Sequence, residues 1–243
     1  MLAELNATLE KAAAERDGIL GVLPGLVAES PAGDGWIPAR ELVREPYQAL
    51  AGFVDDTAEQ WNAPRHVAAA VFWKTYTYWH TFPIALGWAI NRRVPLMRLE
   101  HTMVRPSDAG VTIAATEITV AVEPGDPVAG TPGTVVSDDL GATIREALLD
   151  GQQPLIEAIS KLTRLGRRNL WGSTAEAFAG PLLETGPYQR AEKLLRAIGR
   201  PVDGLIEPHE DGYRRRTCCL WVTLPDEEAC STCCIQSGRS SSA

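Results

Sequence analysis

Residues 67 to 90 form the longest apolar stretch of the chain, and Phe72, Trp73, Tyr76, Tyr78, Trp79 and Phe82 concentrate within it. Lys74, His80 and Pro83 interrupt the stretch, and its unbroken apolar runs fall far short of the roughly 20 residues that a membrane-spanning helix needs. The segment reads as a buried or half-buried helix, and no transmembrane segment is expected. Aromatic residues at helical spacing read first as core, because such rings bury large areas, with the lining of a concave site as the alternative. A chain of 243 residues, 45% hydrophobic and 22% charged, is long enough to build that core without cysteine staples.

Around this segment the pattern alternates between helical and extended. A helix is expected over residues 2–16, stopped by Gly18, then a Gly/Pro-rich loop over 21–35, a helix over 41–61 and a longer one from Pro64 toward Asn91, which Pro83 kinks or splits. Residues 94–105 and 111–122 are rich in β-branched side chains and flank a hairpin loop at 106–110. After the Pro/Gly stretch EPGDPVAGTPG, four helices are expected over 138–149, 154–165, 173–182 and 187–198. Ser173-Thr174-Ala175-Glu176 matches a capping box for the third, and Gly199 and Pro201 close the fourth. The expected fold class is α+β: a helix-rich body over 1–205 with a small antiparallel sheet at 94–122, a C-terminal segment over 206–236, and a disordered tail over 237–243.

The formal net charge of −8 leaves no broad basic surface for phosphates, so nucleic acid is not an expected partner. The N-terminus lacks the layout of a secretory signal, which makes the cytoplasm the expected location. No G-x-G-x-x-G follows a strand, so nicotinamide or flavin binding is not indicated, and His66, His80 and His101 show no ligand spacing.

The first 217 residues contain no cysteine, and the next seventeen positions contain five: Cys218-Cys219, ten residues, Cys230, two residues, then Cys233-Cys234. Thiolates gathered from two short segments suit zinc, copper(I) or an iron–sulfur centre. Clustered cysteines in an intracellular chain of this size point to metal or catalysis before disulfides, although Cys230-Ser-Thr-Cys233 has the form of a redox pair. Zinc ribbons use two C-x₂₋₄-C knuckles, whereas one half here is a vicinal pair whose side chains point to different sides of an extended backbone. A Rieske centre needs two histidines, and ferredoxin spacings are absent. Spacing alone leaves a four-cysteine [2Fe–2S] centre ahead of zinc, with both open.

C-C-x₁₀-C-x₂-C near the C-terminal end, preceded by Arg214-Arg215-Arg216-Thr217 and a cysteine-free, helix-rich body, resembles the FhuF-like ferric siderophore reductases. The strong likeness covers about the last thirty residues, and over the body there is only a general likeness that includes Asn169-Leu170-Trp171-Gly172. The resemblance implies that Cys218, Cys219, Cys230 and Cys233 hold a [2Fe–2S] cluster, with Cys234, which departs from the pattern, as the other candidate for the fourth position. It further implies one-electron reduction of siderophore-bound iron(III) in the cytoplasm, a hydroxamate siderophore ahead of a catecholate, and electrons from a ferredoxin-type or other reductase donor.

Such chemistry needs no acid, base or nucleophile. Hard oxygen donors prefer iron(III), so adding one electron loosens the chelate. Arg214, Arg215 and Arg216 are candidate contacts for an acidic donor or anionic chelate, against ordinary ion pairing to Glu207, Glu210 or Asp211. Trp171 is a candidate substrate contact or a core residue, and Trp221 a candidate shield against water. The rival reading is a non-enzymatic protein with a four-cysteine zinc knob that mediates contacts; a third is a siderophore-binding or biosynthetic protein that transfers no electrons.

Overall fold

In the computed structural model the chain runs α1 (Ala3–Ala14), β1 (Val22–Val27), β2 (Ile37–Pro38), α2 (Ala39–Leu42), α3 (Gln48–Trp61), α4 (Arg65–Ile90), β3 (Val94–Leu96), β4 (Thr102–Ser107), β5 (Gly110–Ala115), β6 (Thr119–Val122), β7 (Thr134–Val136), α5 (Leu140–Gly151), α6 (Gln153–Thr163), α7 (Arg167–Thr185), α8 (Tyr188–Ile198), β8 (Ile206–His209) and β9 (Gly212–Arg215), followed by a 3₁₀ turn at Trp221–Thr223. All residues are described except Gly18, 30–32, Asp34, Asp211 and 236–243. The fold class is α+β, with helix well in excess of strand. The expected tail at 237–243 and the stop at Gly18 lie outside the described residues.

The apolar stretch becomes α4, buried along most of its length and packed on α7, α3 and β5. It runs through Pro83 without splitting. An interior proline costs on the order of 3 kcal/mol, which the burial of Phe82, Ile84 and Leu86 around it offsets. The α4/α7 seam is pinned where Trp73 Nε1 donates to the Leu170 carbonyl at 2.9 Å. One turn further on, a buried polar knot ties α4 to the α5–α6 junction. Thr77 and Thr174 each donate to Gln152 Oε1 (3.0 and 2.9 Å), while Gln152 Nε2 donates to Thr81 Oγ1 and His80 Nδ1, both at 3.1 Å.

Three expectations are corrected. Residues 41–61 form two helices, because Pro46 has no backbone N–H to continue the first and Tyr47 turns into the left-handed region at φ 64°. The stretch read as loop at 21–35 contains β1, whose Val22 and Leu26 are fully buried; it lies at a sheet edge, where Pro24 is tolerated, and its register shifts between Val22 and Val27. Residues 94–122 do not form a single antiparallel sheet. The β4–β5 hairpin turns at Asp108-Ala109 and joins a mixed sheet in the order β1-β5-β4-β2, with β1 parallel to β5. Strands β3 and β6 pair in a second sheet with β7, which is parallel to β6.

Candidate functional site

The hairpin of β8 and β9 carries the arginine run, and strand geometry sorts it. Successive side chains of an extended strand face opposite sides, so Tyr213 and Arg215 point inward against α7 while Arg214 and Arg216 point outward. Arg215 is only 1% exposed. Its Nη1 donates to Glu176 Oε2 at 2.5 Å and its Nη2 to Ser173 Oγ at 3.0 Å. Arg216 is exposed and pairs with Glu207 at 2.7 Å, the ordinary ion pair of the sequence reading. Arg214 reaches along the chain, its Nε and Nη2 donating to the carbonyls of Cys233 (3.3 Å) and Cys234 (3.2 Å). The three arginines therefore do different things, and only Arg214 and Arg216 are open to a partner. Trp171 lies in the hydrophobic core at 9% exposure, not on a substrate surface.

The two cysteine segments meet at the end of β9. The Arg215 amide donates to the Thr232 carbonyl at 2.9 Å, which lays residues 230–234 beside the chain leaving the strand. Within that loop the Cys233 amide donates to the Cys230 carbonyl at 2.9 Å, closing a four-residue turn with a cysteine at each end. Asn169, at the start of α7, donates from Nδ2 to the Cys218 carbonyl at 3.1 Å. Gly172, one turn on, leaves the space that Thr217 fills; a Cβ there would lie 1.7 Å from Thr217 Oγ1.

Backbone amides are aimed at the sulfurs. Leu220 N–H donates to Cys218 Sγ (3.3 Å) and Ile235 N–H to Cys233 Sγ (3.4 Å), and the Trp221 amide serves Cys219. Cys219 and Cys230 share a thiol–thiol hydrogen bond that lowers the Cys230 pKa and raises that of Cys219; burial raises both, and the cations Lys74 and, for Cys219, Arg215 pull downward. Cys218 and Cys233 both lie within electrostatic reach of Cys234. Cys219 and Cys233 are buried, and the other three are half-buried. Among the described residues no three His, Cys, Asp or Glu side chains converge on a single point as one ion would require. The arrangement is instead two sulfur groups, Cys219 hydrogen-bonded to Cys230, and Cys234 with Cys218 and Cys233 both in its reach. A two-iron cluster asks for two thiolates at each iron and for N–H donors to sulfur, and this donor set fits that demand in type, number and hydrogen bonding.

Glu176 organises the surroundings. Its Oε2 takes Arg215 and lies 3.6 Å from Lys74 Nζ, and its Oε1 accepts from Thr232 Oγ1 at 2.7 Å, so one carboxylate joins α4, α7, β9 and the Cys230 turn. The sequence pattern Ser173-x-x-Glu176 is not a helix cap, because α7 begins six residues earlier at Arg167. The i,i+3 spacing is the same in both readings, since it places both side chains on one helix face. Lys74 and Thr232 carried no site role in the sequence, and Asn169 entered only within the Asn169-Leu170-Trp171-Gly172 likeness; each is a single polar residue whose partner lies dozens of positions away. No family model matches the chain, and no curated protein sequence matches it at a significant level.

Proposed function

We propose that the chain is a cytoplasmic [2Fe–2S] ferric siderophore reductase of the FhuF-like type, with Cys218, Cys219, Cys230 and Cys233 holding the cluster. The observation that carries this reading is the meeting of the C-C and C-x₂-C segments as two sulfur groups, each with backbone N–H donors directed at sulfur. When bound, such a cluster supplies one electron at a time to siderophore-held iron(III), giving iron(II), and is re-reduced by an electron-donor protein of ferredoxin type.

The chain's own residues set the conditions. N–H groups of Leu220, Trp221 and Ile235 disperse thiolate charge, and Arg215 and Lys74 add positive charge nearby; both effects raise a reduction potential. Trp221, edge-on to Trp61 at 4.9 Å, and Leu224 limit water at one flank. Arg214 clamps the Cys233 and Cys234 carbonyls and so holds the loop against the strand.

The test is purification without oxygen, with visible spectrum, iron, acid-labile sulfide and zinc measured together. Two irons and two sulfides per chain, and oxidation of the dithionite-reduced protein by one equivalent of a ferric trihydroxamate, are expected. One zinc with no visible band would sink the reductase reading in favour of a structural zinc knob.

A further inference from the structure

Two cavities share Val71, Thr75, Ala109 and Trp221 in their walls, so they form one groove across the outer face of α4. The inner chamber, about 330 Å³, is walled by Tyr78, Trp79 and Tyr213, with Lys74 and Glu176 also at its wall. The outer chamber, about 400 Å³, runs between α3 and the β4–β5 turn and carries Asp56 and Asp108. Each is in the size range of small-molecule sites, and aromatic walls with a few convergent polar groups are the usual composition of such sites.

One residue separates the inner chamber from a thiol: Glu176, which lines it, accepts from Thr232 Oγ1 at 2.7 Å, and Thr232 Oγ1 lies 3.7 Å from Cys230 Sγ. Charge differs between the ends. At the inner end Glu176 faces two cations, Arg215 and Lys74, leaving one positive charge in excess among those three groups. At the outer end Asp56 and Asp108 are exposed, and among the described residues neither is in an ion pair with a cation. An elongated ligand with oxygen-rich donors at one end and a cationic arm at the other matches this polarity.

We propose that this groove seats the ferric chelate, with its metal-binding end in the inner chamber and an ammonium-bearing arm at Asp56 and Asp108. The proposal rests on the reductase reading for the identity of the ligand, and on the groove alone for its place. A trianionic chelate would meet two unneutralised carboxylates at the outer end, so the groove discriminates by charge at a point remote from the metal. Asp56 and Asp108 are then specificity residues.

The probe is the redox-inert gallium(III) complex of a linear trihydroxamate with a terminal amine, alongside the same complex with the amine acetylated. Binding to the full, metal-loaded chain is followed by tryptophan fluorescence and calorimetry. Thr75→Trp fills the junction of the chambers and should weaken binding by tenfold or more, on the order of 1.4 kcal/mol. Gly180→Leu is the second blocking variant, since a Cβ at that helical position meets nothing nearer than Tyr78 Cε2 at 3.7 Å, and it should act likewise. The Asp56→Asn, Asp108→Asn double variant should lose about threefold toward the amine form and nothing toward the acetylated form, as exposed ion pairs are weak.

Iron, sulfide and the visible spectrum are recorded on the same samples. Unchanged affinity in both blocking variants, or no gallium-chelate binding at all, would overturn the groove while leaving a cluster-bearing, chelate-reducing protein intact. A zinc-only protein whose chelate binding is lost on blocking would support the groove and overturn the reductase reading.

Discussion

Glu176 on α7 and Arg215 at the end of β9 form an ion pair of 2.5 Å in which the arginine is 1% exposed, and the same carboxylate reaches Thr232 in the Cys230–Cys233 turn. One buried charge pair thus connects the body of the fold to both cysteine segments, because the Arg215 amide also holds the Thr232 carbonyl.

Removing the carboxylate leaves the Arg215 charge buried without its partner. Glu176→Ala should destabilise the protein by about 3 kcal/mol or more, whereas Glu176→Leu combined with Arg215→Met should recover much of that loss, because two uncharged side chains need no desolvation. Urea denaturation gives the test: a lower midpoint at unchanged slope for the single variant, and a midpoint returning toward the parent for the double. Equal losses in both would mean that packing, not charge, dominates the site.

Under the proposed function, the turn favours Cys233 over Cys234 as the fourth sulfur ligand. Cys233 is buried, its amide closes the turn on Cys230, and its Sγ accepts from Ile235 N–H, while Cys234 is half-buried. Under the proposed function, Cys233→Ser should lose most iron and sulfide and Cys234→Ser should keep them. The reverse pattern in metal analysis would move the ligand to Cys234.

Gly172 is where α7 comes closest to the chain entering the cysteine segment. An alanine there places Cβ 1.7 Å from Thr217 Oγ1 and 2.8 Å from Thr217 Cβ, so rotating the hydroxyl alone does not relieve the clash. Gly172→Ala should cost roughly 1–3 kcal/mol and displace Cys218, which under the proposed function is seen as reduced iron and sulfide content. A variant of full stability and full iron content would show that the helix and the strand exit separate easily.

Acid should weaken the fold through His80. Burial, partly offset by the Met97 carbonyl, lowers its pKa from 6.5 to about 4, and the ring stacks on Tyr76 and takes Gln152 Nε2 at Nδ1. Between those two pH values the unfolded chain binds a proton that the folded chain refuses, so stability falls as pH drops from 6.5 toward 4, by about 3 kcal/mol in all. Denaturation midpoints measured across that window should follow this slope, and His80→Asn should flatten it. An unchanged slope in the variant would assign the acid sensitivity elsewhere.

Much of the helical framework was legible in the chain. The apolar stretch at 67–90, the 187–198 helix with its Gly199 stop, and a hairpin loop within 106–110, which the structure narrows to Asp108-Ala109, all follow from periodicity and turn chemistry, which act over a few residues. The cysteine spacing was legible for the same reason, being a local pattern. The site's surroundings were not. Ser173-x-x-Glu176 presents one helix face whether it caps an end or grips an arginine from a distant strand, and only knowledge of where α7 begins separates the two.

The sequence by itself determined α1, α4, α8 and the β4–β5 hairpin and which residues could offer sulfur, because short-range sterics, burial periodicity and side-chain chemistry are local properties. Tertiary structure alone decided that β1 joins β5 and β7 joins β6, that Arg215 turns inward while Arg214 clamps the loop, and that Asn169, Lys74 and Glu176 surround the thiols. Those are pairings between groups far apart along the chain. Their partners are brought together by tertiary packing, for the thiol surroundings that of α4 against α7, and not by the periodicity of either segment.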